Sequence, residues 1–272
     1  MHGLGNDFVI IDATKEKILL SSVQIEYLAD RRRGIGFDQL LIARPSSSPE
    51  ADIDFQIFNA DGSEALHCGN GARCFGVFLK NRKIIRKNKI FAKTKTSLIA
   101  LKILNGGSVS VEMGVPTFEI EKIPFLVPPK PDDKFQVTFK IGELFLKTSL
   151  VSLGNPHAVI NLDKIESGQT LELGRLIQKL PNFPESVNVG FMEIISRGRI
   201  KLRVFERGVG ETPACGSGAC AAVIAGIIQG RLLNSVFVNM PGGELQVDWI
   251  GHGNQVVLTG PTSNVFEGEF DT

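Results

Sequence analysis

The chain has 272 residues, 43% of them hydrophobic and 22% charged, and a formal net charge of +1. At roughly 100–200 residues per domain this length accommodates two domains, and near-neutrality argues against a general nucleic-acid or membrane-surface binder. No apolar run approaches the ~20 residues that span a bilayer. No charged-then-apolar leader precedes Leu4-Gly5, so no signal peptide is expected. Four cysteines are too few for a disulfide scaffold in a chain this long. They fall as Cys68/Cys74 and Cys215/Cys220, with only His67 nearby, a spacing that does not fit a zinc site. Thiols in a reducing cytoplasm, with no metal, are the expectation.

Leu4–Asp12 is the first segment that recurs in the second half. Ile53–Asn59 is a second, with Ile53, Phe55 and Ile57 alternating against Asp54 and Gln56, the period of a half-buried strand. It runs on to Cys68-Gly69-Asn70-Gly71, after which Ala72–Leu79 becomes apolar as a buried helix does. The segment Lys80–Lys95 holds eight Lys and Arg residues, read as a solvated helix end and hairpin. Pro116, Pro124, Pro128, Pro129 and Pro131 crowd Val115–Lys134, the expected linker. Domain boundaries are expected at 1–117 and 118–261, with a returning C-terminal strand at 262–272.

The second half repeats the first. Leu153–Asn161 matches Leu4–Asp12, placing Asn155 149 residues after Asn6, and Asn188 lies 149 after Gln39. Ile200–Glu206 alternates as Ile53–Asn59 does and reaches Cys215-Gly216-Ser217-Gly218, with Cys215 147 residues after Cys68. Two copies are too few for a stacked array. The expected fold is α+β, two pseudo-symmetric domains from an internal duplication, each a mixed sheet or barrel-like set of strands wrapped on one central helix.

Each of Cys68 and Cys215 falls where a helix should begin. Orphan backbone N–H groups there carry partial positive charge, which lowers a thiol pKa. The same groups, at Gly69-Asn70 and Gly216-Ser217, can donate to a substrate carboxylate. A duplicated fold with one such cysteine per half suggests two sulfurs across a shared cleft. One would take a proton from a carbon and the other would return one to its opposite face, with no cofactor. A single cysteine at a helix start is ordinarily a small buried hydrophobe. Two at matched positions, each followed by glycine, reverse that reading, whereas Cys74 and Cys220 lie inside the helices and read as core. Gly216–Ala221 also fits a dinucleotide fingerprint, but no acidic residue stands ~20 positions on.

His2–Phe8, Gly34–Gln39, Phe58–Glu64, Cys68–Cys74, Gly154–His157, Phe205–Gly208 and Ala214–Gly218 together resemble the diaminopimelate epimerases, in order along the chain. The resemblance implies a cofactor-independent epimerase interconverting LL- and meso-diaminopimelate in lysine and peptidoglycan-precursor synthesis, as a cytoplasmic homodimer. It implies Cys68 and Cys215 as the acid/base pair. It also implies substrate contacts from Asn6, Gln39, Asn59, Gly69, Asn70, Asn155, Asn188, Glu206, Arg207, Gly216 and Ser217, with His157 and Glu206 influencing the cysteine pKa values. Arg207 would suit a distal carboxylate, Glu206 an ammonium, and the amides either group. Family members carry residues ahead of the Met-His-Gly-Leu-Gly segment, so a shortened first strand is expected, and Phe266 stands where some have an interface tyrosine. Rival readings are a proline or hydroxyproline racemase, a thiol redox sensor and a non-catalytic amino-acid binder.

Overall fold

The computed structural model describes residues 1–65, 68–126, 135–165 and 167–270. Contacts divide the chain into two compact units, Met1–Glu112 with Thr259–Thr272, and Met113–Leu258. The expected boundaries at 117 and 261 each lie a few residues beyond these.

In the first unit β1 (His2–Gly3) and β2 (Asn6–Asp12) form a hairpin. Its two turn residues, Leu4 and Gly5, have φ of 57° and 89°, the left-handed pair of a type I′ turn. Then come α1 (Ser22–Ala29), β3 (Gln39–Arg44), β4 (Ile53–Asn59), α2 (Gly69–Asn81), β5 (Lys89–Lys93), β6 (Leu98–Ile103) and β7 (Val109–Glu112). β2 runs parallel to β3, β3 antiparallel to β4, β4 parallel to β5, and β5–β6–β7 antiparallel. The alternation in β4 buries Ile53, Phe55 and Ile57. Phe55 stacks on Phe75 of α2 with ring centroids 4.1 Å apart, tying strand to helix. α2 lies against β1, β2, β3, β6 and β7.

The second unit opens with a short 3-10 turn, Ile120–Lys122. β8 (Gln136–Ile141), β9 (Leu144–Ser152), β10 (Pro156–Asn161), α3 (Ser167–Gln178), β11 (Asn188–Ser196), β12 (Arg199–Glu206), β13 (Gly210–Thr212), α4 (Gly216–Ile228), β14 (Ser235–Met240) and β15 (Gly243–Asp248) follow. β16 (Val257–Gly260) then leads into the C-terminal segment of the first unit. Strand order and direction repeat those of the first unit. β10 is parallel to β11, β11 antiparallel to β12, and β12 parallel to β14. Even the register repeats: Phe8 pairs with Gln39 in one unit, and His157 with Asn188 in the other. α4 is buried along its length from Gly218 to Gly226, as an all-apolar helix must be.

Three expectations change. Among the described residues each unit has two α-helices rather than one, because α1 and α3 cover the sheet's other apolar surface beside the central helix. α1 packs its Ile25, Leu28 and Ala29 with Phe37, Leu40 and Ile42. α3 packs Leu173 and Ile177 with Val189, Phe191 and Phe205. The proline-rich stretch is not a bare linker where it is described. Phe118, Ile120, Ile123 and Phe125 are buried, and the last three join the second unit's core. Residues 127–134, with Pro128, Pro129, Pro131 and Lys134, lie outside the described residues. The C-terminal strand is reduced to a single bridge, Ser263 to His2, within 261–270. No described helix is long and apolar enough to cross a membrane.

α1 starts on a capping box. The Gln24 N–H donates to the Ser21 hydroxyl at 3.3 Å, and the Ser21 N–H donates to Gln24 Oε1 at 2.9 Å. With only eight residues, the helix depends on that cap. Ser21→Ala should lower the unfolding free energy by about 1 kcal/mol, read from the denaturant midpoint.

Candidate active site

Both cysteines sit at helix N-caps. Cys68 precedes α2 with φ −151°, and Cys215 precedes α4 with φ −125°. Both therefore stand in extended backbone at a helix start, where backbone amides have no intrahelical acceptor. The Gly71 N–H donates to Cys68 Sγ at 3.3 Å. The glycine three residues after each cysteine permits this closeness. A β-carbon built on Gly71 would stand 3.3 Å from Cys68 Sγ and 3.3 Å from Phe8, and one on Gly218 would stand 3.3 Å from Cys215 Sγ and 2.9 Å from Val204. Gly69, Asn70, Gly216 and Ser217 form the first turns, where their N–H groups lack intrahelical partners.

Around Cys215 the hydrogen bonds run in one direction. His157 Nε2 meets Asn155 Oδ1 at 3.1 Å, and Asn155 Nδ2 donates to the Ser217 hydroxyl at 3.3 Å. Ser217 Oγ lies 3.7 Å from Cys215 Sγ, and the thiol donates to Glu206 Oε2 at 2.9 Å. Thr212 donates to the other carboxylate oxygen at 2.5 Å, brought there by the β12–β13 pairing of Glu206 with Gly210. Burial, followed by the charge and hydrogen bond of Glu206, pushes the Cys215 thiol well above its ordinary pKa, against the opposing effect of the Gly218 N–H and Ser217. This corrects the expectation that the helix start alone would make a thiolate here. Desolvation and an adjacent carboxylate outweigh the helix terminus.

His157 is fully buried, and desolvation with the nearby Arg207 charge drives its pKa down to about 3. It is therefore neutral at ordinary pH and reaches Cys215 through Asn155 and Ser217. Its Nδ1 has no hydrogen-bond partner among the described residues. An orphan acceptor is cheaper than an orphan donor, which assigns the proton to Nε2 and makes that nitrogen the donor to Asn155.

Around Cys68 the partners differ. Asn6 Oδ1 lies 4.0 Å from Cys68 Sγ and accepts from Asn70 Nδ2 at 3.3 Å. Asn6 Nδ2 donates to Asp38 at 2.8 Å, and Arg73 donates to Asn70 Oδ1 at 3.0 Å. His67 lies outside the described residues. Gln39 Nε2 donates to Asn59 Oδ1 at 2.9 Å, and Asn59 donates on to Ser63 at 3.0 Å. Gln39 Oε1 is buried without a partner among the described residues. Asn188 Nδ2 donates to the Pro156 carbonyl at 3.2 Å while its Oδ1 accepts the Arg207 N–H at 2.9 Å. The Arg207 guanidinium rests on the Glu185 carbonyl at 3.0 Å. Asn6, Gln39, Asn59 and Asn70 thus gather with Cys68 in the first unit, and Asn155, His157, Asn188, Glu206, Arg207 and Ser217 with Cys215 in the second. Cys74 and Cys220 are buried in the helices, and burial pushes Cys74 up to about 12. Among the described residues no group of three or more His, Cys, Asp or Glu is arranged to hold a metal.

Sequence reasoning did not single out Thr212, Asp38, Arg73 or Ser63. Asp38 stood inside a quoted motif, and Arg73 one turn past Cys68, so both carried a signal. Thr212 carried none, since only the β12–β13 turn brings it to Glu206.

Two like α+β units with matched strand order form a fold shared with amino-acid epimerases and related proteins of known structure. It is similar to a hydroxyproline epimerase from Agrobacterium vitis, at TM-score 0.67 and 18% identity over 96% of this chain and 87% of that one. It is likewise similar to a phenazine biosynthesis protein of the PhzF family from Bacillus anthracis, at TM-score 0.65 and 16% identity over 96% and 92%. At these identities the likeness is one of fold. The family model for diaminopimelate epimerase matches residues 1–119 and 149–265. A diaminopimelate epimerase of Teredinibacter turnerae is 46% identical over 269 residues, 99% of this chain and 96% of that protein. The chain belongs to the diaminopimelate epimerase family, and is an enzyme of the isomerase class.

Two pH effects follow. Below about pH 6.5 the unfolded chain protonates His157 while the folded chain holds it neutral to about 3, so folding stability falls as pH drops through that window. His157→Phe, which copies the matched Phe8, should flatten this part of the stability–pH curve in chemical denaturation. Glu206→Gln removes the negative neighbour of Cys215, so its thiol should ionise at lower pH. Thiolate absorbance and alkylation rate would report the shift, and an unmoved titration would contradict the assigned cause.

Proposed function

We propose that the chain interconverts LL- and meso-2,6-diaminopimelate, with Cys68 and Cys215 as the two proton carriers, in lysine and peptidoglycan-precursor synthesis. The observation that carries this reading is the duplicated helix N-cap: a cysteine at the matched position of each unit, against a glycine in each. Cys215 rests as a thiol, donating to Glu206, and so supplies a proton. Cys68, whose sulfur accepts the Gly71 N–H, is the base. In one turnover the Cys68 thiolate removes the Cα proton and becomes a thiol. The Cys215 thiol delivers its proton to the opposite face and becomes a thiolate. In the reverse direction the roles exchange.

The carbanionic transition state spreads charge onto the substrate carboxylate. The N–H groups at Gly69-Asn70 and Gly216-Ser217 are preorganised donors for that charge, and stabilisation of this kind is worth most where charge develops. No cofactor is invoked. Arg207, whose guanidinium has five N–H donors, retains donors for a distal carboxylate beside its bond to Glu185. The Gln39 Oε1 acceptor and the Glu206 carboxylate suit ammonium groups. Homodimer assembly and a cytoplasmic setting come into the reading from the sequence resemblance, and sedimentation would test the first.

Cys68→Ser and Cys215→Ser should each slow epimerisation by about 10²–10⁴-fold, the ordinary worth of a positioned acid or base, because serine is a far weaker acid. Near-normal turnover in either variant would overturn the two-thiol assignment. Cα exchange on proline but not on LL-diaminopimelate would favour the proline-racemase reading instead.

A further inference from the structure

Each unit carries one asparagine beside its cysteine helix, Asn6 in the first and Asn155 in the second. The two are matched in the repeat, yet they are turned in opposite senses. The ends of an asparagine amide are assigned by what they face. Asn6 faces a carboxylate, which only accepts, so its Nδ2 lies toward Asp38 at 2.8 Å. Asn70 faces a guanidinium, which only donates, so its Oδ1 lies toward Arg73 at 3.0 Å. Asn70 Nδ2 is then left to donate to Asn6 Oδ1 at 3.3 Å. Charges at the two ends of this chain fix both amides: turning Asn6 alone would set its oxygen against the Asp38 carboxylate and donor against donor at Asn70, and turning Asn70 alone would set donor against donor at Arg73 and acceptor against acceptor at Asn6. The Asn6 oxygen therefore faces α2 and Cys68. In the second unit Asn155 Oδ1 meets His157 and its Nδ2 faces Ser217 and α4.

The holders differ accordingly. Asp38 corresponds in the repeat to Val187, and His157 to Phe8, and both counterparts are buried and apolar. Each unit thus has one polar residue to orient its asparagine, at a different position and of opposite hydrogen-bonding sense. Asp38 is itself held. Arg31 donates to its Oδ1 at 2.8 Å and grips Asp7 with two bonds of 2.7 Å. Oδ2 is left for Asn6 and for the Asp7 N–H at 3.1 Å.

We infer that Asp38 is a positioning residue for the first half of the site, fixing Asn6 with its carbonyl oxygen presented beside Cys68 as an acceptor for a substrate ammonium. It acts through Asn6 and does not touch reacting atoms. The inference rests on the proposed function, in which Asn6 contacts substrate. Without Asp38 the amide can turn, and an N–H end toward the substrate repels an ammonium.

The test is a double-mutant cycle on diaminopimelate turnover with Asp38→Ala, Asn6→Ala and the pair, alongside Arg31→Met. Asp38 is partly exposed, at 44% of its side-chain area, so Asp38→Ala should fold, and the thermal midpoint checks this. Asp38→Ala is expected to lower kcat/KM by about tenfold. Lost binding common to ground and transition states raises KM with little change in kcat, and that is the expected pattern. In the Asn6→Ala background the further loss should be under about twofold, because coupled residues are not additive. Arg31→Met, which loosens the grip on Asp38 but leaves the Asp38–Asn6 bond, should lower kcat/KM in the same sense as Asp38→Ala and by less. If Asn6→Ala is impaired while Asp38→Ala is not, or if their losses add, the Asp38 inference fails and the site reading stands. If Asn6→Ala has parental activity, both fail.

Discussion

Each half of the site depends on one local arrangement: a cysteine at the N-cap of a buried helix, with glycine three residues on. The helix needs an acceptor at its N-terminus, and the sulfur needs donors if it is to carry negative charge. A β-carbon at Gly71 or Gly218 would intrude on the sulfur and on Phe8 or Val204. The strands before each helix, β4 and β12, fix where the chain must turn. The helices behind, α2 and α4, are buried against the sheets and cannot shift to relieve a misplaced cap. Packing thus sets the position of the cysteines, and their surroundings set their chemistry, burial and Glu206 outweighing the helix terminus at Cys215.

The two units share a backbone plan and differ in charge. Cys215 has a carboxylate against its sulfur, held by Thr212, whereas the position matching Glu206 in the first unit is Asn59, bonded to Gln39. Asn155 is oriented by a neutral histidine, and Asn6 by a carboxylate–arginine pair. Duplication therefore supplies two cysteines in equivalent backbone settings, and divergence in the neighbouring side chains gives them unlike surroundings, with a carboxylate against Cys215 that holds it as a thiol. The proposed two-thiol transfer calls for such a difference, since one sulfur must begin charged and the other neutral.

Much of this architecture was legible in the sequence because it follows from periodicity. The alternation in Ile53–Asn59 and Ile200–Glu206 gave strands, and the apolar run from Ala219 gave the central helix. The constant spacing between the copies gave the duplication, and the glycines after Cys68 and Cys215 marked helix starts. The helices α1 and α3 went unread; α1, although Ser21 and Gln24 spell a capping box, has only eight residues and so carries little periodicity. The protonation of Cys215 also went unread. Glu206, at the end of β12, was expected to influence a cysteine pKa, but the direction depends on burial and on its contact with the sulfur, and neither has a local signature. Thr212 falls under the same limit: its role comes from strand pairing, not from its neighbours in sequence.

The most direct measurement is deuterium incorporation during a single turnover of LL-diaminopimelate in D2O, with substrate and product separated and their Cα label determined by mass spectrometry. Transfer by two thiols predicts deuterium at Cα of the meso product, delivered from solvent-exchanged Cys215, while recovered LL substrate stays unlabelled early in the reaction. Equal early labelling of both isomers, or a product that retains the original proton, would contradict it and point to a single base acting on both faces.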